Sequence, residues 1–198
     1  AVADRRYKAL PAPLCAAMEA LEKELLTEEN PLLIDVRLDR AMFEMIFEQL
    51  RESRCKAAVA YFQARADLLN AITLLRVRRM GRDEAFFESV RLPGGVIPDG
   101  KWADAFADTE RLPEMLRPYG ERVMEAALMA SRDFVRLPGL EKAMDNALLA
   151  IFTKDRFDVM RLETVVGYLL AVEREAGAVR LVMAGKQNGF DMEAIRER

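Results

Sequence analysis

Apolar residues recur every three or four positions in two long stretches of this chain, and the first stretch covers residues 54–82. Its apolar side chains fall on one side of a single helix, while polar residues such as Asp67 and Asn70 fall on the opposite side. At about 1.5 Å per residue this helix would be about 42 Å long, which is more than one neighbouring helix can cover. The pattern therefore predicts a long helix on which shorter helices pack.

The second stretch, residues 162–189, resembles the first stretch. Corresponding residues of the two stretches lie 107 positions apart. Tyr61 corresponds to Tyr168 and Ile72 to Val179, and each copy is followed by a glycine. The apolar seam of the second copy consists of Leu162, Val165, Val166, Leu169, Ala176, Val179 and Val182. This spacing predicts a second long helix.

A shorter pair of blocks shows the same relationship. Residues 38–46 (LDRAMFEMI) resemble residues 144–152 (MDNALLAIF) at an offset of 106. Two blocks in the same order at nearly one offset indicate an internal duplication of a helical unit. The alternative is that two amphipathic stretches look alike by chance. With the duplication, the sequence predicts an all-α helical bundle of two related multi-helix units, residues 1–108 and 109–198.

Shorter amphipathic segments predict further helices at residues 13–26, 33–51, 121–134, 140–152 and 192–198. Residues 91–108 are rich in proline and glycine and predict a surface loop, which Trp102, the only tryptophan, would anchor. No run alternates strictly between apolar and polar residues over more than four positions, so no strand is predicted.

The composition is that of an ordinary soluble chain, with 198 residues of which 52% are hydrophobic and 32% charged. A net charge of −3 argues against wholesale nucleic-acid binding. No apolar run approaches the roughly 20 residues that cross a bilayer, so we expect no direct membrane span. Cys15 and Cys55 belong to no spacing motif, and we expect both to be reduced thiols.

The chain contains no histidine. This absence removes Ser-His-Asp triads, the HExxH zinc helix and the Glu-x-x-His ligands of di-iron bundles. Neither a GxxxxGK[ST] loop nor a GxGxxG turn is present, so phosphate cradles of those kinds are unsupported. We therefore predict no catalytic residue, no metal site and no bound cofactor, and a protein that is not an enzyme.

Several polar groups still need an interpretation. Asp35, Asp39 and Glu44 could form a catalytic carboxylate cluster, but the arginines beside them favour a solvated helix face. Polar residues in the middle of packed helices more often hydrogen-bond to neighbouring helices than catalyse reactions. We assign that structural role to five residues of the two long helices: Asp67, Asn70, Glu173, Glu175 and Arg180.

Four arginines gather at the end of the first long helix: Arg76, Arg78, Arg79 and Arg82. Positive charge is favourable near the carboxyl end of a helix, and Gly81 marks that end. The same cluster could instead bind the phosphates of a ligand. The sequence leaves both interpretations open.

Four segments carry a resemblance to a known family: PLLIDVRLDRAMFEMIFEQL (31–50), ARADLLNAITLLRVRRMG (64–81), LPGG (92–95) and GYLLAVEREAGAVRLVMAGKQNGFDMEAIRER (167–198). Together they resemble the C subunits of the archaeal and bacterial A/V-type (V-type) rotary ATPases, whose eukaryotic relative is the d subunit. The resemblance places the first of the family's three units before Ala1, so this sequence holds two of them. Phe190 and Asp191 depart from the apolar and proline residues usual in the family tail.

The resemblance implies an all-helical funnel of three related units without catalytic residues or cofactors. In the family this funnel is the socket that joins the central-stalk subunits, of D and F type, to the membrane proteolipid ring. It passes rotation between ATP chemistry and proton or sodium transport, and its place is cytoplasmic and peripheral to the membrane.

Two surfaces are predicted to contact such partners. One is the proline-glycine loop with Val96, Ile97 and Trp102, whose apolar side chains we expect to be exposed. For Trp102 the alternative is that its side chain fills the core of its own domain. The other is the basic helix end at residues 76–82.

The alternative function is a free-standing helical scaffold or regulator in which the arginines bind an anionic partner. A third possibility, an all-helical lyase or synthase, lacks the paired acidic motifs that bind magnesium.

Overall fold

A computed structural model of the chain describes residues 7, 10–25, 32–52, 55–153 and 162–193. These residues form nine α-helices, three short 3-10 turns and no strand, which confirms the all-α prediction. The helices are α1 (Ala12–Leu25), α2 (Leu32–Arg51), α3 (Lys56–Arg79), α4 (Glu84–Val90), α5 (Asp99–Ala107), α6 (Leu112–Met115), α7 (Glu121–Arg132), α8 (Leu137–Thr153) and α9 (Leu162–Gln187). The 3-10 turns are Thr109–Arg111, Arg117–Tyr119 and Phe134–Arg136.

The chain divides into two compact units, Ala1–Val96 and Ile97–Arg198. The boundary at residue 108 that the duplication suggested stays a prediction. Of the C-terminal helix predicted over 192–198, only Met192 and Glu193 are among the described residues, and both are helical.

The first unit is built around α3. Helix α1 packs against α2, and α2 and α4 both contact α3. The middle of α3 is largely enclosed, because ten of the fourteen residues from Ala64 to Val77 are buried. The sequence placed Asp67 and Asn70 on the polar side of this helix, yet the structure buries both of them completely. Since their side of the helix is covered, these polar groups need partners inside the protein.

The second unit begins with a helix that the sequence did not predict. Residues 91–108 were expected to form a surface loop, and this expectation is wrong for residues 99–107, which form α5. Pro98 immediately precedes this helix and Asp99 lies in its first turn, so here the proline marks a helix start. One face of α5 is buried through Trp102, Ala105 and Phe106.

The remaining helices of the second unit pack in sequence, with α6 against α7, α7 against α8 and α8 against α9. Helix α8 begins at Leu137, three residues before the predicted start at 140, so Pro138 and Gly139 lie in its first turn, where proline is tolerated. Helix α9 approaches α8 closely at Gly167, where an added β-carbon would lie 3.0 Å from the Phe152 β-carbon. The seam predicted for α9 is largely not buried, because Val165, Leu169 and Val179 are exposed.

The two long helices end in the same turn. Gly81 after α3 and Gly189 after α9 both adopt positive φ, 67° and 70°. The same backbone hydrogen bonds close both turns: Gly81 N–H to Arg78 O (3.1 Å) and Arg82 N–H to Val77 O (3.1 Å), then Gly189 N–H to Lys186 O (3.2 Å) and Phe190 N–H to Gly185 O (2.9 Å). This is the Schellman arrangement, which needs a glycine because of its left-handed backbone. Its recurrence after both helices supports the internal duplication.

Candidate partner-contact surfaces

Loop 92–96 is fixed to α3 by two buried side chains. The Asn70 side chain donates from Nδ2 to the Leu92 carbonyl (2.9 Å) and accepts from the Leu92 N–H through Oδ1 (2.7 Å). The Val96 N–H donates to Oδ2 of Asp67 (2.8 Å). Hydrogen bonds in such a buried place are costly to lose, since a group left behind would be unsatisfied. The two polar residues of α3 therefore anchor a loop.

Two glycines let the loop come close enough for these bonds. A β-carbon at Gly95 would overlap the Asp67 carboxylate. A β-carbon at Gly94, whose φ is +88°, would overlap the ring of Phe47 in α2. The two glycines of the sequence LPGG thus have a steric explanation, because only glycine permits this close approach of the backbone.

The apolar residues expected at this loop differ in exposure. Val96 is exposed to 56%, and Ile97 is half-buried. The indole of Trp102 is fully buried, so the expectation of an exposed Trp102 is wrong. Its side chain lies on the buried face of α5 and contributes to the core of the second unit. Of the three, Val96 is the residue best placed to contact another protein.

The end of α3 forms an exposed basic surface, which we call the basic end: Arg76, Arg78, Arg79 and Arg82. Arg82 lies over the Phe86 ring at 5.4 Å from its centre. Asp83, just beyond, caps α4 by accepting a hydrogen bond from the Phe86 N–H at 2.9 Å. Met80, 58% exposed, adds an apolar group to this surface. The role of the basic end in binding stays a prediction.

A cavity of about 300 Å³ lies beside the basic end, within the first unit. Its lining combines apolar side chains of α2, α3 and α4 with Asp35, Asp39, Thr73 and Arg76. Partial burial raises the pKa of Asp39, the nearby Asp35 carboxylate raises this pKa further, and the Arg65 guanidinium lowers it. Asp35 and Asp39 are exposed on α2, as the solvated-face interpretation expects.

The described residues contain no group of three or more potential metal ligands. Glu44, the third member of the suspected carboxylate cluster, is exposed and pairs with Arg40 at 3.8 Å. Within the described part of the chain, no helix combines the length and the apolar character that a bilayer crossing requires. The geometry therefore offers contact surfaces and, in these residues, no metal-binding cluster.

The polar residues singled out on α9 lie at its surface. Glu173, Glu175 and Arg180 are all exposed. Instead, Arg174 connects α9 to α8 by donating to Oδ1 of Asn146 at 3.0 Å. The sequence analysis missed Arg174, although the offset of 107 makes it the counterpart of Asp67.

Comparison with known proteins supplies the family. The sequence-family model of the ATP synthase (C/AC39) subunit matches residues 2–198. The A-type ATP synthase C subunit of Haloferax volcanii is 30% identical over 178 residues, which are 85% of this chain and 50% of that protein. The corresponding C subunit of Halorubrum lacusprofundi is 28% identical over 178 residues, again 85% and 50% of the two chains. That of Desulfurococcus sp. is 26% identical over 133 residues, 66% and 36%.

No solved structure matches the chain. The chain spans about half the length of the relatives from Haloferax and Halorubrum. The family model nevertheless extends over almost all of the present sequence, as the resemblance in the four segments predicted. The chain therefore belongs to the ATP synthase (C/AC39) subunit family.

Proposed function

We propose that this chain works as a non-catalytic part of a rotary ATP synthase or ATPase, in which it couples the central stalk to the membrane proteolipid ring. The observation that carries the proposal is the family match over residues 2–198, together with relatives that are A-type ATP synthase C subunits. Its partners would be the stalk subunits of D and F type and the ring. The ion moved would be a proton or sodium.

The internal structure of each unit suits the transmission of force. Long helices packed side by side resist bending, since bending would break close packing. In the first unit, α3 is enclosed by its neighbours, and loop 92–96 is tied to it by the hydrogen bonds of Asp67 and Asn70. In the second unit, α9 lies against α8 at Gly167 with little space between them. Such a coupler needs no bound cofactor.

Two surfaces of the first unit are proposed as contact points. Val96 offers an exposed apolar group on a loop whose backbone is fixed, so that little conformational entropy is lost on binding. The basic end offers four positive charges, which would attract an acidic surface and speed association. The chain would be held at the membrane through its partners, on the cytoplasmic side.

Co-purification is the direct test. The chain would be expressed with tagged stalk subunits and, separately, with the proteolipid ring. We expect it to be retained by both, and we expect Val96→Asp and the double substitution Arg78→Glu, Arg79→Glu to reduce retention. Val135→Asp, at a residue 78% exposed in the second unit, is the matched control for an exposed valine. Arg122→Glu is the control for charge reversal, at an exposed arginine of α7. Retention by neither partner would contradict the proposal.

The second candidate function is a free-standing scaffold or regulator that binds an anionic partner. The observation that favours it is the basic end, with four exposed arginines within seven residues. Binding of this kind would weaken steeply as the salt concentration rises, because the interaction is between exposed charges. Retention by the stalk subunits that persists at high salt would favour the coupling role instead.

A further inference from the structure

The turn that ends α9 contains an asparagine followed by glycine, Asn188 and Gly189, which we call the Asn-Gly pair. An asparagine side chain can be attacked by the main-chain nitrogen of the next residue, and glycine offers that nitrogen with no β-carbon to obstruct it. The other asparagines of the sequence are Asn70 and Asn146, each followed by alanine, and Asn30, followed by proline, which has no N–H. The Asn-Gly pair is therefore where the sequence most favours this reaction.

The reaction converts the asparagine to an acid in two steps. The nitrogen of Gly189 attacks Cγ of Asn188 and loses its proton, which closes a cyclic imide, while the side-chain nitrogen leaves as ammonia. Water then opens the imide at one of its two carbonyl carbons. One product is aspartate, and the other is isoaspartate, in which the main chain runs through the side-chain carbon. Water is the one co-reactant, and no electron is gained or lost.

In the folded turn, hydrogen bonds hold both reacting groups away from each other. The Asn188 side chain donates from Nδ2 to the Ala184 carbonyl (2.8 Å), which directs it back along α9 and away from Gly189. The main-chain N–H of Asn188 donates to the same carbonyl (3.0 Å), as in a helix. The Gly189 N–H donates to the Lys186 carbonyl (3.2 Å), so the attacking nitrogen is engaged as a donor. Attack therefore requires that the turn opens first.

The turn lies where opening costs little free energy. Every residue from 186 to 191 is exposed, and the end of a helix opens more readily than its middle. The turn also depends on the left-handed backbone of Gly189, with a φ of 70°, which most other residues avoid. Opening breaks the bonds of Asn188 and Gly189 together, so it prepares both groups for the reaction at once.

We propose that Asn188 is a site of spontaneous deamidation and that the folded turn at the end of α9 restrains the reaction. The rate of conversion then measures how often this turn opens. The proposal concerns the chemistry of the chain itself, so it does not depend on the proposed coupling function.

Neither product fits the turn as well as asparagine does. Aspartate lacks the Nδ2 donor to Ala184 and places a negative charge at the carboxyl end of α9, where the helix dipole disfavours it. Isoaspartate lengthens the main chain before Gly189, which alters the spacing of the bond from the Phe190 N–H to the Gly185 carbonyl (2.9 Å). The reaction is thus a one-way change that loosens the end of α9.

Peptide mass spectrometry tests the site. The purified chain is incubated in mildly alkaline buffer, once folded and once in concentrated urea, and aspartate and isoaspartate at position 188 are quantified. We expect both products in urea and conversion slower by about tenfold or more in the folded chain, a factor that corresponds to about 1.4 kcal/mol or more for opening the turn. Asn188→Gln should remove the signal, and Asn146 is the internal control. No conversion at 188 in urea, or equal rates in both states, would overturn the proposal.

Two substitutions in α9 test whether opening of the turn sets the rate. Ala184→Gly keeps the accepting carbonyl but weakens the last part of the helix, so we expect conversion about threefold to fivefold faster in the folded chain and no change in urea. Ala178→Gly, at another exposed alanine of α9, lies further from the helix end and is the matched control. It should leave the folded rate nearly unchanged. Equal acceleration by both variants, or acceleration by neither, would show that the turn does not restrain the reaction.

Discussion

The helices α3 and α9 come from the same repeated pattern, yet they lie in very different surroundings. Tyr61 of α3 is 8% exposed, while its counterpart Tyr168 in α9 is 68% exposed. Ile72 and its counterpart Val179 differ in the same way, at 6% and 52%. The first helix is enclosed by α2, α4 and loop 92–96, whereas the second contacts chiefly α8. An apolar pattern thus specifies a helix, and the neighbours decide how much of it is buried.

We expect the largest difference in stability between substitutions in the two helices at Asn70 of α3. Asn70→Ala removes two hydrogen bonds to Leu92 and leaves the part-buried N–H and C=O groups of Leu92 without these partners, so we expect a loss of about 2–3 kcal/mol in the free energy of unfolding. Urea denaturation followed by circular dichroism measures it. The counterpart in α9 is Gly177, where an added β-carbon meets nothing within 4 Å. Gly177→Ala, the control, should stabilise by about 0.5–1 kcal/mol. Equal effects at both positions would contradict this difference between the two helices.

The next effect concerns the glycine that lets loop 92–96 reach α3. Gly95→Ala places a methyl group against the Asp67 carboxylate, so we expect a destabilisation of about 1–3 kcal/mol. Thermal unfolding is the measurement. Gly100→Ala is the control, because a β-carbon at Gly100 meets nothing within 4 Å. If Gly95→Ala unfolds at the same temperature as the unaltered chain, then the backbone at Gly95 does not lie against Asp67.

The turns that end the two long helices should respond alike. Gly81→Ala and Gly189→Ala each force a β-carbon into a left-handed backbone conformation, which costs about 1 kcal/mol. Chemical denaturation of both variants tests whether the two costs agree. Similar costs would show that the repeated turn has the same energetic role in both copies. A cost at one glycine only would show that the likeness of the two turns is geometric alone.

The smallest effect is expected at Asp39. Its pKa in the folded chain is raised above the ordinary value of 3.8, so ionisation of this group disfavours the folded state. This cost is fully present at pH 7 and disappears as the pH falls through the raised pKa to below 3.8. Asp39→Asn should therefore stabilise at pH 7 by less than about 0.5 kcal/mol, a small value because the group is exposed.

Thermal melts at about pH 7 and about pH 3.5, on either side of the raised pKa, measure the effect of Asp39→Asn. Asp145→Asn, at the counterpart position in α8, is the matched control for the loss of one negative charge. A destabilisation by Asp39→Asn at neutral pH would contradict the expected sign.

Much of the fold could be predicted from the sequence, because helix periodicity is a local property. The ranges predicted for α1, α2 and α3 differ from the observed ones by at most three residues at either end. The family could be recognised as well, from the segments around residues 31–50 and 167–198. Helix α5 was missed since Pro93, Gly94 and Gly95 indicate a loop, and the helix that begins after Pro98 is short.

The contact surfaces were harder to predict, since they depend on parts of the chain that are distant in sequence. The spacing of Asp67 and Asn70 puts them on one side of α3, but their burial results from loop 92–96, more than twenty residues away. The exposure of the apolar seam of α9 could not be predicted either. A seam such as Val165, Leu169 and Val179 has the same spacing whether or not a neighbour covers it.

The bonds between Asn70 and Leu92 have a consequence for how this family can vary. Both run to the main chain of Leu92 and neither involves its side chain. Any amino acid with a free amide could therefore occupy position 92 and still be held, whereas proline, which lacks that N–H, could not keep both bonds. Divergent members could therefore change the side chain at position 92, while Gly94 and Gly95 stay and the backbone keeps its path.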